Sequence, residues 1–187
     1  MLHLHFVLLL LISTVIGPEP EVTQHYRKGL VCEDISTKIE NREEACKIEQ
    51  AMRREGFDSP LIEAALLNSY AESRFNPQAV GDHGRSKGVF QLHKRGLGRG
   101  MTDQQRHNIE TSVRRVSVAI RKSKKLKRAL SRGAETPELT SIFCTEIMRP
   151  KDAGRKARER ASLEDELFES PAAKRRRRII GGGESKT

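Results

Sequence analysis

The sequence predicts a small, mainly α-helical domain with a glycine-rich loop near its middle. Apolar residues recur at helical spacing in several stretches between about Ala45 and Met148, and capping residues precede those stretches. Between them, residues 76–100 are rich in Gly, Pro and Asn. At 187 residues the chain has room for one domain with flanking segments.

The first helix is expected from about Asn41. Asn41 and Glu44 have the spacing of a capping pair, Ala45, Ile48, Ala51 and Met52 form a stripe, and Gly56 is the stop signal. Ser59-Pro60 restarts a helix, because Ser can cap free amides and Pro suits only the first turn. Leu61 to Ala71 are apolar almost without interruption, which requires burial on more than one side and places this helix at the domain's centre. Glu72 stands at its C-terminal end. In the loop that follows, only Val89-Phe90-Gln91-Leu92 has the composition of a short strand or buried turn. Thr102 and Gln105 form a capping box, and Ile109, Val113, Val116 and Ile120 lie on one face of a long helix that Gly133 ends. Thr136-Pro137 opens another helix through Ile142, Phe143 and Ile147 to Pro150, and a polar helix is expected from Asp152 to about Phe168.

The flanks read differently. Residues 2–16 are almost wholly apolar, and Gly17-Pro18-Glu19-Pro20 breaks the run, so residues 1–17 are expected to be a signal peptide. The run is short for a bilayer span, but no Lys or Arg precedes it, which leaves a short membrane anchor open. Residues 18–40 are expected as a linker or loosely docked arm, 41–168 as the folded domain, and 169–187 as a disordered basic tail. The formal net charge is +10, and about half of that excess lies in 174–187, mostly in Lys174, Arg175, Arg176, Arg177 and Arg178. This basicity favours polyanions, among them nucleic acid, anionic lipid and anionic wall polymers. The apolar leader argues for export and against a nucleic-acid or nuclear-import role, so the tail is expected to aid contact with wall polymers or membranes. Export permits disulfides. Cys32 with Cys46 is the most local pairing, Cys144 could partner either, and three free thiols are equally compatible with the spacing.

The chemistry concentrates between 71 and 92. A carboxylate at the end of a buried apolar helix is partly desolvated, which favours its protonated form, the condition a general acid needs. Pro77 and the glycines at 81, 84 and 88 bend the next segment back, which allows Gln91 to approach Glu72 along an open groove. His83 and His93 flank the loop without metal-site spacing, so no metal or cofactor is expected.

Glu72-Ser73-x-Phe75-x-Pro77-x-Ala79, Gly88-x-Phe90-Gln91-Leu92 and Asn108-Ile109 at the start of a long helix resemble the soluble lytic transglycosylases and goose-type lysozymes. The resemblance spans Pro60 to about Ile120. A second one covers Phe143 to Arg160, where Phe143, Arg149-Pro150-x-Asp152 and Arg158 are similar to the end of phage-encoded lysozyme-like domains. Together they imply a lysozyme-like helical domain with a catalytic cleft loop. Glu72 would protonate the glycosidic oxygen between N-acetylmuramic acid and N-acetylglucosamine and then serve as base. The muramoyl C6 hydroxyl attacks in the transglycosylases, giving a 1,6-anhydro product, whereas water attacks in the lysozymes. Ser73 would orient Glu72 or touch substrate, and Gly88, Phe90 and Gln91 would line the sugar subsites. Phe75 is expected in the core. Asp82 is the better candidate for a second carboxylate, because Glu63 is expected to face solvent near its helix N-terminus. The transglycosylases' late Ala-Tyr-Asn-Ala-Gly motif is missing, and neither Tyr26 nor Tyr70 stands in its place. The resemblance therefore implies a peptidoglycan lytic transglycosylase for local wall breaching by a virus or secretion machine. The alternative is a wall-binding or assembly protein with a lysozyme-like groove and no turnover.

Overall fold

The computed structural model describes residues 31–168. The apolar leader, the first part of the arm and the basic tail with Lys174 to Arg178 lie outside the described residues. Among the described residues, no helix is long and apolar enough to cross a membrane.

The fold is mainly helical. A short 3₁₀ turn, Val31–Asp34, precedes α1 (Arg42–Arg54) and α2 (Ser59–Ser73). The glycine-rich segment forms a small antiparallel sheet of β1 (Val80–Gly81), β2 (Ser86–Lys87) and β3 (Leu92–His93) in the order β1-β2-β3. The remaining helices are α3 (Asp103–His107), α4 (Ile109–Lys122), α5 (Lys124–Ser131), α6 (Thr136–Ile142), α7 (Ala153–Ser162) and α8 (Glu164–Leu167). A π-helical turn, Phe143–Met148, continues α6.

Helix α2 lies at the centre, as its near-continuous apolar run predicts. Leu61, Ile62, Leu66 and Leu67 are buried, and so are Asn68 and Ser69, so no face of the helix meets water along most of its length. Truncating Leu66 or Leu67 to Ala in such a setting costs about 3 kcal/mol. Helices α1, α6 and α7 pack on α2, and α4 lies against α1. The predicted stripes face the core: Ala45, Ile48, Ala51 and Met52 on α1, and Val113, Val116 and Ile120 on α4.

Several ends differ from expectation. Asn41 does not cap α1; it adopts the left-handed conformation, and its side-chain amide donates to the Arg74 carbonyl (3.1 Å), joining the start of α1 to the end of α2. Ser59 begins α2 and does not cap it; Asp58 holds the N-cap position. The long helix expected from Thr102 to Gly133 is three helices, because Asn108 and Ser123 turn to extended backbone and cap α4 and α5 with their side chains. The capping box of Thr102 and Gln105 is present at α3.

Packing also begins earlier than Asn41. Val31, Cys32 and Ile35 are buried, and the Glu49 carboxylate on α1 accepts hydrogen bonds from the Val31 and Cys32 amides (2.8 and 2.7 Å). Cys32 is bonded to Cys46, and Cys144 is a buried free thiol. Closing a loop of this length stabilises by roughly 3 kcal/mol in the chain-entropy view. The part of the expected arm from Val31 onward is therefore joined to the domain.

Candidate active site

Glu72 occupies the last turn of α2, and the left-handed Arg74 and Phe75 end the helix immediately after it. Its side chain is 18% exposed and pairs through Oε1 with Nη2 of Arg160, whose own side chain is 4% exposed. Arg160 comes from α7, where it shares a buried face with Ala157. Its Nη1 donates to Oδ1 of Asn68 (2.7 Å), and the Asn68 amide donates to the carbonyls of Ala64 and Thr140 (2.8 and 3.2 Å). A buried guanidinium and a buried amide thus fix the Glu72 carboxylate from below. The partial burial expected for a carboxylate at the end of an apolar helix is present, and the structure adds to it a cation at hydrogen-bond distance.

The glycine-rich loop lies beside this helix end. Ser73 Oγ donates to the Val89 carbonyl (2.9 Å), as does Ser69 Oγ (3.0 Å), so the loop strand ahead of Gln91 is tied to the helix end that carries Glu72. Gly88 has φ +77°, and a Cβ there would lie 1.9 Å from the Arg106 carbonyl oxygen, so only glycine fits. The Gln91 amide turns back onto its own loop, donating to the carbonyls of Ala79 and Gly88 (3.1 Å each). Gln91 braces the loop in this way and makes no hydrogen bond to Glu72 among the described residues. Phe90 is 0% exposed and packs its ring 6.4 Å from that of Phe143, so it supports the loop from the core and offers no face to a sugar. Phe75 is buried as expected.

Asp82 sits at the exposed tip of the loop with φ 49°. The Ser86 hydroxyl, donating to it, holds its carboxyl below the ordinary carboxylate range, and the positive charges of His93, Lys156 and His83 add to this. Lys156 also acts on the Cys144 thiol, which burial pushes up and which feels the charges of Arg160 and Glu72 as well. Glu63 does not face solvent freely; it accepts the Thr136 hydroxyl (2.6 Å) at the start of α6. Tyr70 is engaged elsewhere, with its hydroxyl on Glu166 (3.1 Å) and the Arg74 guanidinium over its ring.

Two site residues escaped the sequence reading. Arg160 was passed over in favour of Arg158, which is exposed; the available signal was Arg160's place one turn after Ala157 on the only apolar face of a polar helix. Arg106 is 3% exposed, and its Nη1 donates to the carbonyls of Arg85 (2.6 Å) and Leu92 (3.0 Å), clamping the hairpin from α3. Nothing in its local sequence distinguishes it from the many exposed arginines. Among the described residues, no group of His, Cys, Asp and Glu could hold a metal ion.

The arrangement is one half-buried carboxylate, held by a buried cation at the end of a central helix, beside a glycine-built loop. A family model described as phage tail lysozyme matches residues 43–170, more than half of the chain. No curated protein and no solved structure matches significantly.

Proposed function

The chain belongs to the phage tail lysozyme family, and with it to the lysozyme-type glycosidases of peptidoglycan, and we propose that Glu72 is its catalytic acid and base. The observation that supports this most is the Glu72–Arg160 pair at the mouth of the loop that Ser73 ties down. In this reading Glu72 donates its proton to the glycosidic oxygen between N-acetylmuramic acid and N-acetylglucosamine, and the C1–O bond breaks. The carboxylate left behind is stabilised by the Arg160 guanidinium. It then accepts the proton of the incoming nucleophile. A muramoyl C6 hydroxyl as nucleophile makes the protein a lytic transglycosylase with a 1,6-anhydro product, the form we favour; water would make it a lysozyme.

Asp82 is the acidic residue the loop offers to the positive charge that develops at C1, and Ser86 and the nearby cations keep it ionised. Gly88 and Gln91 shape the subsite through the backbone they hold, and Phe90 supports them. The setting that suits these features is local breaching of the wall from a virion or secretion machine. A groove that binds glycan without turnover would use the same walls but would be indifferent to the acid's proton.

Mass spectrometry of fragments released from purified peptidoglycan tests the proposal, with Glu72→Gln as comparison. Gln preserves a hydrogen bond to Arg160 but cannot deliver a proton, so release should fall about 10³-fold with the fold intact. Products one water lighter than hydrolytic muropeptides identify the transglycosylase. Equal release by both proteins, or none by either, overturns the assignment of Glu72.

A further inference from the structure

A groove of about 1070 Å³ lies on the far flank of the cleft loop, bounded by residues of β3, the α4–α5 junction and the π-helical turn. Glu72 does not line it. Phe90, Gln91 and Leu92 do, so groove and cleft share the same strand of loop. Its polar lining is strongly one-signed: Arg95, Lys122, Lys124, Lys125, Arg128 and Arg149 stand around it, against the single carboxylate of Glu146. All six cations are exposed, and none forms a salt bridge among the described residues. Elsewhere the surface arginines Arg54, Arg114, Arg121, Arg132 and Arg155 do pair with carboxylates. The floor is apolar, formed by Leu92, Leu97, Ile147 and Met148.

We propose that this groove binds the carboxylate-bearing peptide stems that branch from the glycan strand, as a second substrate subsite beside the cleft; this rests on the glycosidase reading above. Two features select the ligand. Six cations against one carboxylate around a concave site favour an anion, and a groove lined by one sign of charge concentrates it. An apolar floor beneath a cationic rim suits a short peptide with methyl groups and carboxylates, whereas a phosphodiester chain would leave that floor without a partner. Of the shared stretch only Gln91 is partly exposed, so a strand passing the helix end would hand its branches to the groove there. The volume is of the size that small ligands and short peptides fill.

The full-length protein is assayed on intact peptidoglycan strands and on strands stripped of their stems by an amidase. The groove variant Lys122→Gln/Lys124→Gln/Arg128→Gln removes three exposed cations. Lys38→Gln/Lys47→Gln/Lys127→Gln removes as many from other exposed positions and controls for net charge. The preference for stem-bearing strands, as a ratio of kcat/KM values, should fall about tenfold in the groove variant, through KM, and stay unchanged in the control. An unchanged ratio in the groove variant, or an equal fall in both, overturns the proposal. If the wild type cuts neither substrate, the glycosidase reading fails separately, and calorimetry with free stem peptide decides the groove. Binding weakened about tenfold by the groove variant supports it; no binding, or tighter binding of a polyphosphate chain, overturns it.

Discussion

Two buried arginines hold the glycine-rich loop and the end of α2, and they do so differently. Arg106 directs Nη1 to the main-chain carbonyls of Arg85 and Leu92 and Nη2 to the exposed Asp103, so it fixes the course of the glycine-rich loop. Arg160 directs its donors to the Glu72 carboxylate and to Asn68, so it fixes one charged group at the end of a helix. The first sets shape and the second sets charge. The proposal that Glu72 gives and takes back a proton assigns a use to this cation, whereas the loop clamp would serve a groove that only binds as well.

Changes at the two arginines should therefore separate. Arg160→Leu should have the largest effect, lowering kcat on the order of 10²-fold because Glu72 loses its position. It should also cost about 3 kcal/mol in stability, since it breaks a largely buried pair. Steady-state assays should show the loss in kcat, with KM little changed. Arg106→Ala should cost a similar 3 kcal/mol in denaturant titrations, because two loop carbonyls lose a charged donor. Its residual activity should show a raised KM with kcat less affected; the same split between kcat and KM in both variants would erase the distinction between the two arginines.

Gly88→Ala tests the loop without touching charge. A Cβ against the Arg106 carbonyl at positive φ should cost about 2 kcal/mol, read as a fall in Tm, and should raise KM in the same sense as Arg106→Ala. Ser86→Ala should have the smallest effect. The folded-state pKa of Asp82 is depressed, so its contribution to stability is complete above roughly pH 4 and is lost as pH falls through the lower folded value. Removing the Ser86 donor should flatten that acid limb in pH-dependent denaturation, with a small loss of stability at pH 7 that vanishes as pH falls below the folded value.

Much of this architecture was legible from the chain. The near-continuous apolar run of Leu61 to Ala71 requires a central helix, the stripes on α1 and α4 mark their inner faces, and Thr102 with Gln105 announces the start of α3. The motifs from Glu72 to Leu92 carried the family resemblance that the match over residues 43–170 supports. These features are visible because helical periodicity and capping act between neighbours three or four residues apart.

The tertiary structure decided what surrounds Glu72. Arg160 reaches it across 88 positions of chain, and Arg106 reaches Arg85 across 21, so neither partner has a local pattern to announce it. The same holds for Gln91, which was expected to approach Glu72 and instead braces its own loop, and for Phe90, whose burial depends on Phe143 from a distant helix. Local sequence determines where the chain turns and which faces are apolar. Which charge meets which is set only when distant helices pack, because a buried ion pair exists only once both partners have left water together.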